Sequence, residues 1–178
     1  VQQLPKQAQL YTTHSRNITL PYKASSNGAV SNVTLLVSMN YGGTWKQHQQ
    51  QSPDQKPFSF KAHRDGEFWF CTRTNLQKHV VPLDLKPEIR IYVDTKKPQI
   101  SLRAEISAES EVICHSQILD PTITPDAVKA ELKVTPESTW QPFPLASAPV
   151  FLRPGVLQLN GRWRPNTDTP VVTLRVTA

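Results

Sequence analysis

Two cysteines in 178 residues are too few for a disulfide scaffold, and they lack the ligand count of a structural zinc site. Cys71 and Cys114 each lie in the middle of an apolar run, so we expect free, buried thiols; a bridge would have to join the two halves of the chain. Glycine is scarce as well, with 6 residues against 16 prolines, and a proline inside a helix removes a hydrogen-bond donor. The sequence therefore predicts little helix beyond one turn at residues 125–130.

Long apolar runs are also missing. None comes near the roughly 20 residues that a helix needs to span a membrane, so we expect no membrane insertion. The sequence begins with Val1, and its last strand-like segment runs up to Ala178. We therefore expect a part of a larger exported protein, with any signal peptide or anchor outside these residues.

Catalytic and metal-binding patterns are equally sparse. The five histidines are scattered without paired metal-ligand spacing. Ser38 lies in a predicted hairpin and not in a strand-turn-helix elbow, so a serine nucleophile is not expected there. Asp94 and Asp120 lie near the ends of predicted structural units, but no acidic cluster surrounds them, as a calcium site would need. The sequence predicts no enzyme, no metal site and no cofactor.

What the chain does have is an excess of positive charge. Residues 1–94 hold 11 Lys and Arg against 6 Asp and Glu, whereas residues 95–178 hold 9 against 8. Nucleic acid is not expected as a partner, because stacking aromatics do not alternate with the basic residues. A solvated surface explains these residues without a ligand, but an acidic partner is the alternative. The basic candidates for binding are Lys86, Arg90, Lys96, Lys97 and Arg103.

A strand-like run ends in Thr-Trp twice, at Thr44-Trp45 and at Thr139-Trp140, with the polar joint Val-Asp-Thr-Lys-Lys-Pro at 93–98 between them. Repetition at a fixed spacing marks repeated units, so we predict two domains, residues 1–94 and 95–178. Apolar and polar residues alternate along segments such as 33–39, 89–93, 100–106 and 157–163, and this period of two predicts strands. The predicted fold is all-β, with two tandem antiparallel immunoglobulin-like β-sandwiches.

Several local expectations follow from the same pattern. The apolar residues of 100–106 should face a core, and residues 1–16 should be a frayed lead-in before or along the first strand. Residues 47–55 should form a polar loop, and Asp65-Gly66 a turn beside a solvated Glu67. Function in a sandwich is carried on loops, so we consider the segments Gln47–Lys56, Asn75–Lys86 and Pro142–Pro154 as candidate binding loops.

Residues 38–45, Ser-Met-Asn-Tyr-Gly-Gly-Thr-Trp, resemble the Asp-box hairpin of secreted β-proteins, with Asn40 in the place of the aspartate. Two further segments follow this hairpin along the chain, Asp-Gly-Glu-Phe-Trp-Phe at 65–70 and Ile-Tyr-Val-Asp-Thr-Lys-Lys-Pro at 91–98. The order of the three segments is similar to that in paired immunoglobulin-like or fibronectin-III-like repeats of large secreted bacterial proteins. The resemblance implies a non-catalytic module in the periplasm, at the cell surface or in the medium, and it leaves the ligand open.

The tryptophans separate the two functional hypotheses. Trp45 and Trp140 recur at matching positions, so a shared packing role is expected of them, whereas Trp69 and Trp163 are candidates for surface contacts. The first hypothesis is a monomeric structural or protein-interaction module, acting as a spacer or an adhesion domain, whose partner is a protein or glycan of the cell surface or matrix. The alternative is a carbohydrate-binding accessory module, which would require exposed, coplanar tryptophans.

Overall fold

The computed structural model describes residues 8–22, 30–55, 57–76, 81–82, 84–165 and 171–178. In these residues the chain is all-β, as predicted, and its short 3-10 helix over Pro125–Ala127 lies in the one predicted turn. No helix of the described residues is long and apolar enough to cross a membrane. The strands are β1 (Leu10–Thr13), β2 (Asn17–Leu20), β3 (Val33–Ser38), β4 (Lys46–Gln51), β5 (Phe58–Lys61), β6 (Gly66–Thr74), β7 (Ile89–Val93), β8 (Gln99–Ile106), β9 (Val112–Leu119), β10 (Lys129–Lys133), β11 (Gln141–Pro142), β12 (Val150–Arg153), β13 (Val156–Trp163) and β14 (Thr173–Thr177).

The chain divides into two compact units, unit 1 (Val1–Thr95) and unit 2 (Lys96–Ala178). Independent folding of each unit stays a prediction. In unit 1 a five-stranded sheet has the order β1-β7-β6-β3-β4, and a two-stranded sheet joins β2 to β5. β1 pairs with β7 in parallel, so part of the predicted lead-in is a strand that extends the sheet.

The core of unit 1 lies between its two sheets because alternate residues of the strands are apolar and point inward. Phe58 and Phe60 of β5 are buried together with Phe68 and Phe70 of β6. The Phe60 ring contacts the other sheet directly, with its centroid 5.2 Å from that of Phe68 and 5.1 Å from that of Phe70. Along the last strand the alternation predicts Ile89, Ile91 and Val93 as inward positions. Ile91 and Val93 are buried, and Ile89 is partly buried against the same core.

The prediction of a polar loop at residues 47–55 is wrong. Most of this tract is β4, which pairs antiparallel with β3. The strand forms without an apolar pattern because its backbone completes the edge of the sheet. One of its glutamines, Gln51, is buried, and its amide donates hydrogen bonds to the Tyr22 hydroxyl at 3.2 Å and to the Gln55 carbonyl at 2.6 Å. Satisfied amides of this kind allow a polar strand to be partly buried.

Unit 2 combines a four-stranded sheet of order β12-β13-β9-β8 with a three-stranded sheet of order β11-β10-β14. Read from β8 to β12, the order of the four-stranded sheet is that of the A, B, E and D strands of an immunoglobulin sandwich. Its core comprises two clusters of buried residues, one of Val112, Cys114, Leu132 and Phe143 and the other of Ile118, Leu157 and Leu159. The candidate loop at 142–154 is in part strand, because it contains β12.

β8 departs from its prediction. The alternation correctly indicates a strand, but all eight of its residues are exposed, including Ile100, Leu102 and Ile106. Their β9 partners Ile118, Ser116 and Val112 are buried. Because paired residues point to the same face of a sheet, the apolar residues of β8 do face inward, but no described strand covers them.

Both thiols are free and buried, as predicted. Burial raises the pKa of Cys71 to about 11. The charge of Arg73 lowers this pKa and the charge of Glu88 raises it, and both effects are smaller than that of burial. Burial also raises the pKa of Cys114. Because the thiolate is the reactive form, we expect iodoacetamide at pH 8 to leave both cysteines unmodified in the native protein and to alkylate both in denaturant. Intact-mass measurement checks this, and rapid alkylation of the native protein would contradict the described burial.

Candidate interaction site

The turn between β3 and β4 is tied together by side-chain hydrogen bonds. The Ser38 hydroxyl accepts from the Gly42 amide at 2.9 Å, and the Asn40 side-chain oxygen accepts from the Thr44 amide at 2.8 Å. Gly42 has a φ of +85°, and an added Cβ would lie 2.9 Å from the Trp69 ring. Only glycine allows this conformation and this close approach without strain. The turn thereby rests on the indole of Trp69.

Trp69 is the centre of a polar and aromatic cluster on the outer face of the five-stranded sheet. Its indole N–H donates a hydrogen bond of 2.6 Å to Glu67 Oε1, and Arg90 Nε donates to the same oxygen at 2.6 Å. The Arg90 guanidinium lies 5.3 Å from the centroid of the Trp69 ring, within the range of a cation–π contact. The Tyr41 ring meets the indole edge-on at 6.1 Å.

The expectation of a solvated Glu67 is wrong. Its side chain is 11% exposed and that of Arg90 is 19% exposed. Partial burial alone would raise the pKa of Glu67, but the hydrogen bonds from Arg90 and Trp69, together with the Arg90 charge, outweigh this and hold the pKa below its ordinary value of 4.5. The ion pair therefore fixes both the indole and the guanidinium in place at neutral pH.

Replacing this carboxylate is expected to weaken unit 1. Hydrogen bonds to charged groups contribute about 1.5–3 kcal/mol, so Glu67→Gln should lower the free energy of unfolding by an amount in that range. The matched control is Glu105→Gln, whose partner Arg103 has a side chain 80% exposed; exposed pairs contribute about 0–1 kcal/mol. Urea unfolding of both variants gives the comparison, and equal effects would contradict the role of Glu67.

The same pair predicts an acid dependence. Because the folded-state pKa of Glu67 is lowered, its stabilising contribution is complete above the ordinary value of 4.5 and is lost as the pH falls through the folded-state pKa. As the pH is lowered from 5, the Glu67→Gln variant should therefore lose less stability than the native protein. Urea midpoints measured along a pH series check this, and parallel pH profiles would refute it.

Of the sequence-predicted site residues, the structure brings Trp69 and Arg90 together in this cluster. Lys86 is exposed in unit 1. In unit 2, Arg103 pairs with Glu105 on the surface, and Trp163 packs against the buried cluster around Phe143. Exposed Lys96 and Lys97 line a pocket of about 390 Å³ together with Leu119, Asp120, Pro154 and others.

Sequence reasoning missed Tyr41 and Glu67 as members of the site. Tyr41 is 70% exposed and has a left-handed φ of 56°, which places its ring beside Trp69. The neighbouring Gly42-Gly43 pair was a signal of an unusual turn, but the contact with Trp69 joins segments distant in the sequence.

Unit 2 carries a second aromatic and charged cluster around Trp140. The Arg175 guanidinium lies 4.0 Å from the centroid of the Trp140 ring and the Lys133 ammonium 5.1 Å from it. Arg175 also donates two hydrogen bonds to Glu131 Oε2, at 2.9 and 2.6 Å. Trp45 and Trp140 both lie directly before a strand that pairs with the preceding one, β4 after β3 and β11 after β10. Both side chains are partly buried.

In the described part of the chain, no three His, Cys, Asp or Glu side chains are grouped so that they could hold a metal ion. Asp120, considered for calcium, instead accepts hydrogen bonds from the amide and hydroxyl of Thr122 at 2.7 and 2.8 Å. Asp65 accepts from Thr95 and Arg16 and so ties the turn at Gly66 to the end of unit 1. These carboxylates stabilise turns.

Comparison with known proteins adds little about function. No family model and no curated protein matches the sequence. Among solved structures, a marsupial T cell receptor is similar to this chain over 97% of its residues and 92% of the receptor's, with 11% sequence identity and a TM-score of 0.35. A likeness at this level carries no information about activity or ligand.

Proposed function

We propose that this chain is a non-catalytic interaction module of a larger exported bacterial protein and that unit 1 binds a partner protein around Trp69. The observation that carries the proposal is the fixed arrangement of Tyr41, Trp69 and Arg90 on the five-stranded sheet. Tryptophan, tyrosine and arginine dominate the binding energy of protein interfaces. Here Glu67 holds two of them in one geometry before any partner arrives, which reduces the entropy lost on binding.

A protein partner fits this surface better than a sugar. A carbohydrate-binding face would present tryptophan rings flat to solvent, but all four indoles are partly buried, and Arg90 and the Gly42 turn lie against that of Trp69. The exposed member of the cluster is Tyr41, an amphipathic ring suited to a protein contact. The exported bacterial setting rests on the resemblance of residues 38–45, 65–70 and 91–98 to repeats of secreted bacterial proteins.

The test is a selection from displayed protein fragments of the organism that produces the chain, followed by affinity measurement. For fragments that bind, Tyr41→Ser should weaken binding by at least about tenfold, the effect of losing an interface anchor. Phe151→Ser is the matched control, because Phe151 is an aromatic residue of unit 2 that is 45% exposed. It should leave binding unchanged.

A glycan array run with the same proteins distinguishes the alternative. Glycan binding that Tyr41→Ser abolishes, with no protein fragment selected, would replace the proposal by carbohydrate recognition. Fragments that bind equally to the native protein and to Tyr41→Ser would contradict the assignment of the Trp69 face.

A further inference from the structure

One edge of unit 2 is left open. In the three-stranded sheet, β14 pairs with β10 on one side, and no described strand pairs with it on the other. An edge strand presents a row of unpaired N–H and C=O groups that can bind one more strand. The side chains of β14 that pack inward, Leu174 and Val176, already contribute to the two cores of the unit.

The opposite sheet carries an apolar surface beside this edge. Ile100, Leu102 and Ile106 of β8 point to the same face as buried residues of β9, yet they are 40%, 42% and 78% exposed and belong to neither core cluster. Within the three-stranded sheet, β14 lies close to β8. A strand added to the free edge of β14 would therefore extend that sheet over β8.

Unit 1 shows what fills the corresponding place. β6 pairs antiparallel with β3 as β14 does with β10, and the Thr-Trp pairs follow β3 and β10. On its other edge β6 holds β7, which runs antiparallel to it and buries Ile91 and Val93. β7 is also the next strand after β6 along the chain. An immunoglobulin sandwich likewise sets a C-F-G sheet against its A-B-E-D sheet, and in unit 2 the place of strand G is open.

We propose that unit 2 is completed by a further strand that pairs antiparallel with β14 and is supplied by the segment of the same polypeptide that follows β14. Its chemistry is set by the surface it covers: it is extended, with apolar side chains at every second position packed on Ile100, Leu102 and Ile106. The source is set by unit 1, where the covering strand follows its neighbour directly in sequence. The inference is independent of the binding role proposed for Trp69.

The test compares the 178-residue chain with the same chain extended by the residues that its gene encodes next, over a length equal to that from Thr74 to Val93 in unit 1. Hydrogen exchange read by mass spectrometry should show β14 and β8 roughly tenfold better protected in the extended chain, with β3 and β6 unchanged. A reading frame that stops after Ala178, or an extension that leaves the exchange of β14 unchanged, would overturn the proposal.

A substitution cycle tests the covered surface itself. Leu102→Asn should have little effect on the 178-residue chain and should remove the added protection in the extended one. Phe151→Asn is the control, because Phe151 lies in β12 at the other edge of the same sheet and has a similar exposure of 45%. Phe151→Asn should change the hydrogen exchange of β14 and β8 equally in both chains. If Leu102→Asn does not fold, Ile106→Thr takes its place.

Other occupants give different results. If a second copy covers β8, the 178-residue chain dimerises with concentration in analytical ultracentrifugation, Leu102→Asn abolishes the dimer, and the extended chain dimerises equally well. If a separate polypeptide supplies the strand, β14 stays poorly protected in both the 178-residue chain and the extended chain when no other protein is present. Either result would refute a donor strand from the same polypeptide.

Discussion

Phe60→Ala is expected to lower the free energy of unfolding of unit 1 by about 3–5 kcal/mol. Phe60 is 4% exposed, and it is the residue through which β5 contacts the aromatic rings of β6 in the other sheet. Its ring also meets the His48 ring at 5.0 Å. Truncation therefore removes three edge-on ring contacts and leaves a cavity between the sheets.

Hydrogen exchange in urea, read from peptides covering β3 and β6, measures this change in the intact protein. Tyr11→Ala is the control, because Tyr11 is 46% exposed on β1, at the edge of the five-stranded sheet; surface truncations of this kind usually change stability by about 0.5 kcal/mol or less. Similar losses for the two variants would show that the rings of β5 and β6 do not form the centre of the core.

Gly161→Ala is expected to destabilise unit 2 by about 1–3 kcal/mol, through overpacking rather than through a cavity. An added Cβ would lie 2.2 Å from the Phe143 ring and 2.8 Å from the Pro144 carbonyl oxygen. The backbone is close because the amide of Arg162 donates to that carbonyl and the amide of Ala146 to the Asn160 carbonyl. The ring can be displaced only out of a buried cluster, and the carbonyl is held by the hydrogen bond.

The double variant with Phe143→Leu separates these two obstacles. Leucine removes the ring atoms nearest to the new methyl group but leaves the carbonyl, so the two substitutions should cost less together than the sum of their separate costs. Thermal unfolding of the four proteins gives the coupling. Additive losses would mean that the methyl group does not meet the ring, contrary to the described packing.

The Trp69 site shows where local patterns stop being informative. Alternation along residues 67–73 predicts that Phe68 and Phe70 point to one face and Trp69 to the other, but it does not say which face is the core. The structure buries Phe68 and Phe70. The turn at Asp65-Gly66 suggested a solvated Glu67 beside it. The carboxylate is instead held by Arg90, which lies on the neighbouring β7, and by the Trp69 indole. Partners from another strand depend on register, which the pattern of one strand does not contain.

By itself, the sequence determined that the chain is all-β, where most strands run, which of their faces are apolar, and that both thiols are buried. These properties follow from the alternation of side chains along an extended backbone and from the scarcity of helix-compatible segments. Only the tertiary structure decided that the glutamine-rich β4 joins a sheet and that the inward face of β8 is uncovered. The reason is physical: periodicity says which way a side chain points, but burial depends on whether another strand, distant in the sequence, lies against it.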